Sequence, residues 1–272
     1  MKQKIGAASI LTSGVLMGTL PVFVRSINLH AFLVTFFRFF VGFIFLALFF
    51  LLKNKSIKIK YKKLILLLSL ANVLTVFFYI CSLQIAKVAI SALLLYMAPV
   101  YVMLIVFMRE WKIEFETLFV VILSIIGLYL MLRPCKILSH GIICGFLSGI
   151  TYSFVFVLAK EARKLMSAQE ITFFILGFGA LFLLPVLLVY RVNNLQLPWI
   201  IGIGLIPTAI PFTLFNYGIK YCKVEKASVL ALIEPISVAI IGYAIFDEVF
   251  SSTQILGTSL ILISISLSLR KV

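Results

Sequence analysis

KVAISALLLYMAPVYVMLIVFMRE, residues 87–110, and KVEKASVLALIEPISVAIIGYAIFDE, residues 223–248, are two versions of one pattern. Each opens on Lys-Val and runs on through apolar residues. Each carries one proline, Pro99 or Pro235, and closes on a charged pair, Arg109-Glu110 or Asp247-Glu248. A helix rises about 1.5 Å per residue, so about 20 apolar residues cross a hydrocarbon core of about 30 Å. Each stretch therefore reads as a membrane span, and its recurrence reads as an internal repeat.

The rest of the chain follows the same grammar. Apolar segments fall at 5–24, 31–52, 64–85, 88–108, 117–132, 141–159, 171–190, 199–219, 227–246 and 254–269. The fifth and tenth hold only 16 residues and predict either short upright spans or extension into their flanks. Hydrophobic residues make up 63% of the 272, charged residues 12%, and mean hydropathy is +1.21. A soluble domain averages about 45–50% apolar and about 25% charged, so the solvent for this surface is lipid. The expected fold class is an all-α polytopic membrane protein of ten transmembrane helices. The first run, Ile5 to Val24, is too long for a signal-peptide core of about 7–15 residues and reads as a retained span.

The net charge of +15 lies mostly between spans, as in loops beside anionic lipid, and does not point to nucleic acid. With a cytoplasmic N-terminus, the inner segments hold 18 Lys and Arg, six of them between Lys53 and Lys63, and the outer segments hold 5. That bias predicts both termini in the cytoplasm. Cys81, Cys135, Cys144 and Cys222 form no Cys-x-x-Cys pair, and His30 and His140 sit in short connections, so no metal or cofactor is expected.

The repeat extends beyond the two opening stretches. Gly6, Ser13, Gly14 and Val22 match Gly141, Ser148, Gly149 and Val157 at an offset of 135. Lys87, Val88, Leu94 and Pro99 match Lys223, Val224, Leu230 and Pro235 at 136. Two five-span units result, 1–136 and 137–272. Five is odd, so the second unit enters from the opposite face, an arrangement common in secondary transporters.

Of the 33 charged residues only Arg38 and Glu234 fall inside spans. A charge at mid-span costs at least about 2.5–3.5 kcal/mol, so such a residue faces a cavity or a partner. Glu234 precedes Pro235, which lacks an N–H. It reads either as a proton or cation site or as an acid bonding a neighbouring helix. Arg38 reads either as a ligand for a substrate carboxylate or as a structural lock. Asn72, Tyr79, Tyr96, Ser148, Thr151, Tyr152, Thr208, Thr213, Asn216 and Tyr217 supply a polar lining in spans 3, 4, 6 and 8. Spans 2, 5, 7 and 10 are more uniformly apolar and are expected to face lipid. No phosphate loop, His-Glu-x-x-His or buried nucleophile with a base is present, which argues against an enzyme.

These landmarks resemble the drug/metabolite transporter superfamily in its EamA-like branch, over essentially the whole chain. The residues that carry the resemblance are Gly14, Arg38 within Phe36-Phe37-Arg38-Phe39, Pro99 and Glu110, then Gly149, Asn216-Tyr217, Glu234-Pro235 and Asp247-Glu248 followed by Thr253. The resemblance implies two inverted five-helix repeats around a central cavity, in the cytoplasmic membrane, moving a small-molecule substrate. Substrate or coupling-ion contacts are expected from Glu234, Asn216, Tyr217, Tyr96, Tyr152, Asn72, Tyr79 and Arg38. Pro99, Pro235, Gly14 and Gly149 are expected at kinks and close helix crossings. Phe173 stands opposite Arg38 and Ala98 opposite Glu234, so the charge chemistry is asymmetric. The leading expectation is export of amino acids or similar metabolites. The alternatives are import of a nucleotide-like or cofactor-like metabolite such as S-adenosylmethionine, and a non-transporting membrane enzyme or scaffold.

Overall fold

The computed structural model describes residues 2–27, 29–53, 61–85, 88–110, 114–132, 140–190, 196–246 and 251–269. In hydrocarbon every backbone N–H and C=O must be satisfied within the segment, and the chain meets this with helices. Ten spans follow in order. The first five are α1 (Lys2–Met17, resuming as Leu20–Ser26), α2 (Ala31–Leu52), α3 (Lys62–Ile85), α4 (Val88–Tyr96, then Ala98–Glu110) and α5 (Phe115–Leu132). The second five are α6 (His140–Leu165), α7 (Ala168–Leu183, then Val186–Val189), α8, α9 (Val224–Leu230, then Ile233–Phe246) and α10 (Ser252–Leu269). α8 is itself composite: Leu197–Gly204, a five-residue π segment Leu205–Ala209, then Ile210–Ile219. Among the described residues there is no strand, and nine helices are long and apolar enough to cross a membrane, with Phe115–Met131 a shorter tenth.

The two short segments resolve by extension: α5 and α10 each reach 18 residues by drawing in Phe115-Glu116 and Ser252-Thr253. α6 runs past its apolar segment to Leu165, and its last turn carries Arg163 and Lys164. Breaks fall beside prolines, at Met97 before Pro99, at Leu184–Pro185 and at Ala231–Leu232 before Pro235. A proline cannot donate to the carbonyl one turn back, so the ladder opens there.

Several helix pairings repeat under exchange of halves. α3 packs on α6 as α8 packs on α1, α4 on α6 as α9 on α1, and α4 on α5 as α9 on α10, while α2–α7 and α5–α10 pair across the exchange. Gly6 at the start of α1 lies against Gly218, Tyr221 and Cys222. Lys160 near the end of α6 donates to the Ile219 and Lys220 carbonyls, each at 2.9 Å, and to that of Cys222 at 2.5 Å. The start of α1 and the end of α6 therefore share one end of the bundle, and the two helices run in opposite directions.

Close crossings sit where small residues stand. A Cβ on Gly14 would come within 2.3 Å of Ile233 Cγ2, at the break in α9. A Cβ on Gly149 would come within 2.3 Å of the Leu94 carbonyl oxygen, just before the break in α4. The expectation that spans 2 and 7 face lipid is corrected: both bury as large a share of their length as α4 and α6 do. The reason is aromatic packing, with Phe173 against Phe43 at 4.8 Å and Phe50 at 5.6 Å, and Phe39 lying over Gly179.

Candidate functional site

The two intramembrane charges are brought near one another by two different helix defects. The first is in α8. Pro207 and Pro211 stand one helical step apart, and each leaves the carbonyl four residues earlier without its usual donor. For Pro207 that carbonyl is Ile203, and the Thr208 hydroxyl donates to it at 2.7 Å. For Pro211 it is Pro207, and Arg38 Nη2 donates to it at 3.1 Å. Arg38 Nε donates to Thr208 Oγ1 at 2.7 Å, so this one hydroxyl both gives and receives. The guanidinium carbon stands 5.6 Å from the centre of the Phe212 ring, a further cation–π contact. Arg38 is thus tied to α8 through neutral groups.

The second defect is the break in α9. The chain turns at Ala231–Leu232, and the Glu234 N–H donates to the Ala231 carbonyl at 3.0 Å, one residue tighter than an α-helix. The Tyr96 hydroxyl lies near the Glu234 carboxylate, and Tyr96 is the last residue before the matching break in α4. Tyr79 from α3, Tyr152 from α6 and Arg38 from α2 lie within electrostatic range of the same carboxylate. Arg38, Glu234, Tyr79 and Tyr152 are half-buried and Tyr96 is buried. Among the described residues the ion pairs lie elsewhere, as Arg109–Glu161, Lys164–Glu161 and Lys223–Glu114, and none joins Arg38 to Glu234. The opposite charges are close without touching.

Other expected residues lie differently. Asn216 is buried, and its amide donates to Thr172 Oγ1 on α7 at 3.1 Å while its carbonyl oxygen has no partner. Asn72 is buried on α3 with its carbonyl oxygen also unpaired. One turn along, the Thr75 and Thr151 hydroxyls lie 3.0 Å apart and join α3 to α6. Tyr217 is exposed near the end of α8, edge-on to Tyr221 at 5.5 Å, and stands outside the cluster. The role of Thr208 as the partner of Arg38 is not visible in the sequence reading. Its signal is the Pro207-Thr208 step with Pro211 four residues on. Asp247-Glu248, Lys87, Cys135 and residues 54–60 of the basic loop lie outside the described residues, as does the Glu110 side chain.

A bundle of membrane-length helices that holds two opposite charges near one another at mid-span points to a membrane transport protein. The EamA-like transporter family matches residues 4–133 and again 139–270, so the chain belongs to that family and carries its unit twice. An uncharacterized transporter of Archaeoglobus fulgidus is 45% identical over 270 residues, covering 99% of this chain and 98% of that one. A solved crystal structure matches with a TM-score of 0.84 at 15% identity, covering 98% of this chain and 96% of the other, a likeness of fold alone. The protein is a multi-pass membrane transporter, and these relatives point to transport rather than to an enzyme.

Proposed function

We propose that this chain is a secondary transporter that exports amino acids or similar small dipolar metabolites across the cytoplasmic membrane. One observation carries the substrate class: Arg38 and Glu234 are held near each other at mid-span without contact, among three tyrosines. A guanidinium has five N–H groups, and α8 engages two of them, which leaves three for an anionic group. Glu234 accepts an ammonium, with Tyr96 orienting it. Asn72 and Asn216 add carbonyl oxygens near the substrate path, and Tyr217 has no part in binding. The halves 1–136 and 137–272 act as inverted repeats that exchange conformations to give alternating access. Protonation of Glu234 couples to substrate movement. Both termini are cytoplasmic, in keeping with the 18-to-5 basic bias.

The test is a thermal-shift screen of the purified full chain against amino acids, nucleotides and sugars, since a ligand of the folded state raises its midpoint. An amino acid that raises the midpoint of the native chain but of neither Arg38→Ala nor Glu234→Gln is the expected result. A shift confined to nucleotides overturns the substrate class.

A further inference from the structure

Two prolines four residues apart in a span ordinarily leave two carbonyls without donors inside hydrocarbon, where each is costly. In α8 both are answered, one by Thr208 and one by Arg38. Arg38 in turn has a two-point seat, the Thr208 oxygen and the Pro207 carbonyl. The seat is matched to a planar fork of N–H donors and not to a point charge. Just beyond it the α2 and α8 backbones meet, where a Cβ on Gly204 would lie 3.1 Å from the Gly42 nitrogen. The guanidinium therefore has a fixed origin as well as a fixed end.

We infer that Thr208 is the positioning residue for Arg38: with the Pro207 carbonyl freed by Pro211, it sets the guanidinium beside the Glu234 and tyrosine cluster. The relay runs in one direction. Pro207 strips the Ile203 carbonyl of its donor, the Thr208 hydroxyl turns its hydrogen to that carbonyl, and its lone pair is then presented to Arg38 Nε. Glu234 is not what holds Arg38, because the two are not in ion-pair contact. The seat keeps the positive charge in place whether or not the carboxylate is protonated. This would let the site keep its anion-binding half through a proton cycle, and that consequence rests on the reading of the cluster as the ligand site.

The test reads Arg38 itself. The full chain in lipid vesicles is treated with phenylglyoxal, a membrane-permeant arginine reagent, and modification of the Arg38 peptide is followed by mass spectrometry. Rates are normalised to those in denaturing detergent. Thr208→Val keeps the shape and removes the hydroxyl, and Arg38 is expected to react about fivefold faster, the scale of one lost hydrogen bond. Thr208→Ser restores the native rate. Pro211→Ala supplies an N–H that competes for the Pro207 carbonyl and also speeds the reaction. Glu234→Gln removes a nearby charge but no hydrogen bond, and speeds it less than Thr208→Val does. A native rate in Thr208→Val overturns the assignment, as does a Glu234→Gln chain that reacts as fast as Thr208→Val. Should Thr208→Val fail to fold, Pro211→Ala carries the comparison, and a native rate there overturns it. Failure of the amino-acid screen leaves these rates untouched, so the two readings fall separately.

Discussion

Glu234 sits where a carboxylate has few partners. Its nearby hydroxyl is that of Tyr96, its nearby cation is Arg38, and the backbone around it is already turned by the Ala231–Leu232 break. A proton taken up here changes the field felt by Arg38, Tyr79 and Tyr152 together, since all three lie within range. Glu234→Gln keeps the shape and the capacity to accept from Tyr96 while removing the charge. Its expression and elution profile are expected to match the native chain, and its transport to lose all pH dependence. Proteoliposome flux across about pH 5 to 8 checks this. Flux that varies with pH as in the native chain would make Glu234 a packing residue only.

The helices are joined at their defects. The breaks in α4 and α9 are crossed by α6 and α1 at Gly149 and Gly14, the two closest approaches at the repeat's landmarks. The obstacles differ in kind. At Gly14 the added carbon meets the end of the Ile233 side chain, which can turn, whereas at Gly149 it meets the Leu94 backbone oxygen, which cannot move without its helix. Gly149→Ala is therefore expected to lower stability by about 1–3 kcal/mol, the usual range for overpacking. Gly14→Ala is expected to cost less, because the helix propensity gained, up to about 1 kcal/mol, offsets a softer clash. Thermal unfolding midpoints of the two variants in one detergent decide it, and equal losses would contradict the distinction. Lys160 is a different kind of joint. It satisfies three carbonyls at the end of α8 from the end of α6, and so ties two helices of the second half together at the basic end.

Across the whole molecule the halves are alike in path and unlike in chemistry. Arg38 reaches from α2 into α8, whereas Phe173, its counterpart in α7, packs on Phe43 and Phe50. Arg38 and Glu234 thus have no charged counterparts in the other half. Among the described residues, Arg109, Lys160, Arg163, Lys164 and Lys223 gather at one end of the bundle, where they meet Glu161, Glu114 and helix-end carbonyls. If that end is cytoplasmic, a cysteine replacing Ser56 in the Lys53–Lys63 loop should react with a permeant maleimide and resist an impermeant one in intact cells. Labelling by the impermeant reagent reverses the orientation.

The sequence alone determined what each segment must do on its own. A span in lipid has to satisfy its own backbone, so apolar length, proline position and stray charges are local facts, and the ten spans, the breaks before Pro99 and Pro235, Arg38 and Glu234 are all legible in the letters. Tertiary structure decided how each span is turned about its axis. Most of these helices are apolar on every side, and lipid tails are as apolar as leucine, so hydrophobicity alone does not say which face looks inward. That is why Tyr96 and Tyr152 join the cluster while Tyr217, an equal candidate by composition, points outward. It is also why the partner of Arg38, 170 residues away on a π segment, emerges only when α2 and α8 are set side by side.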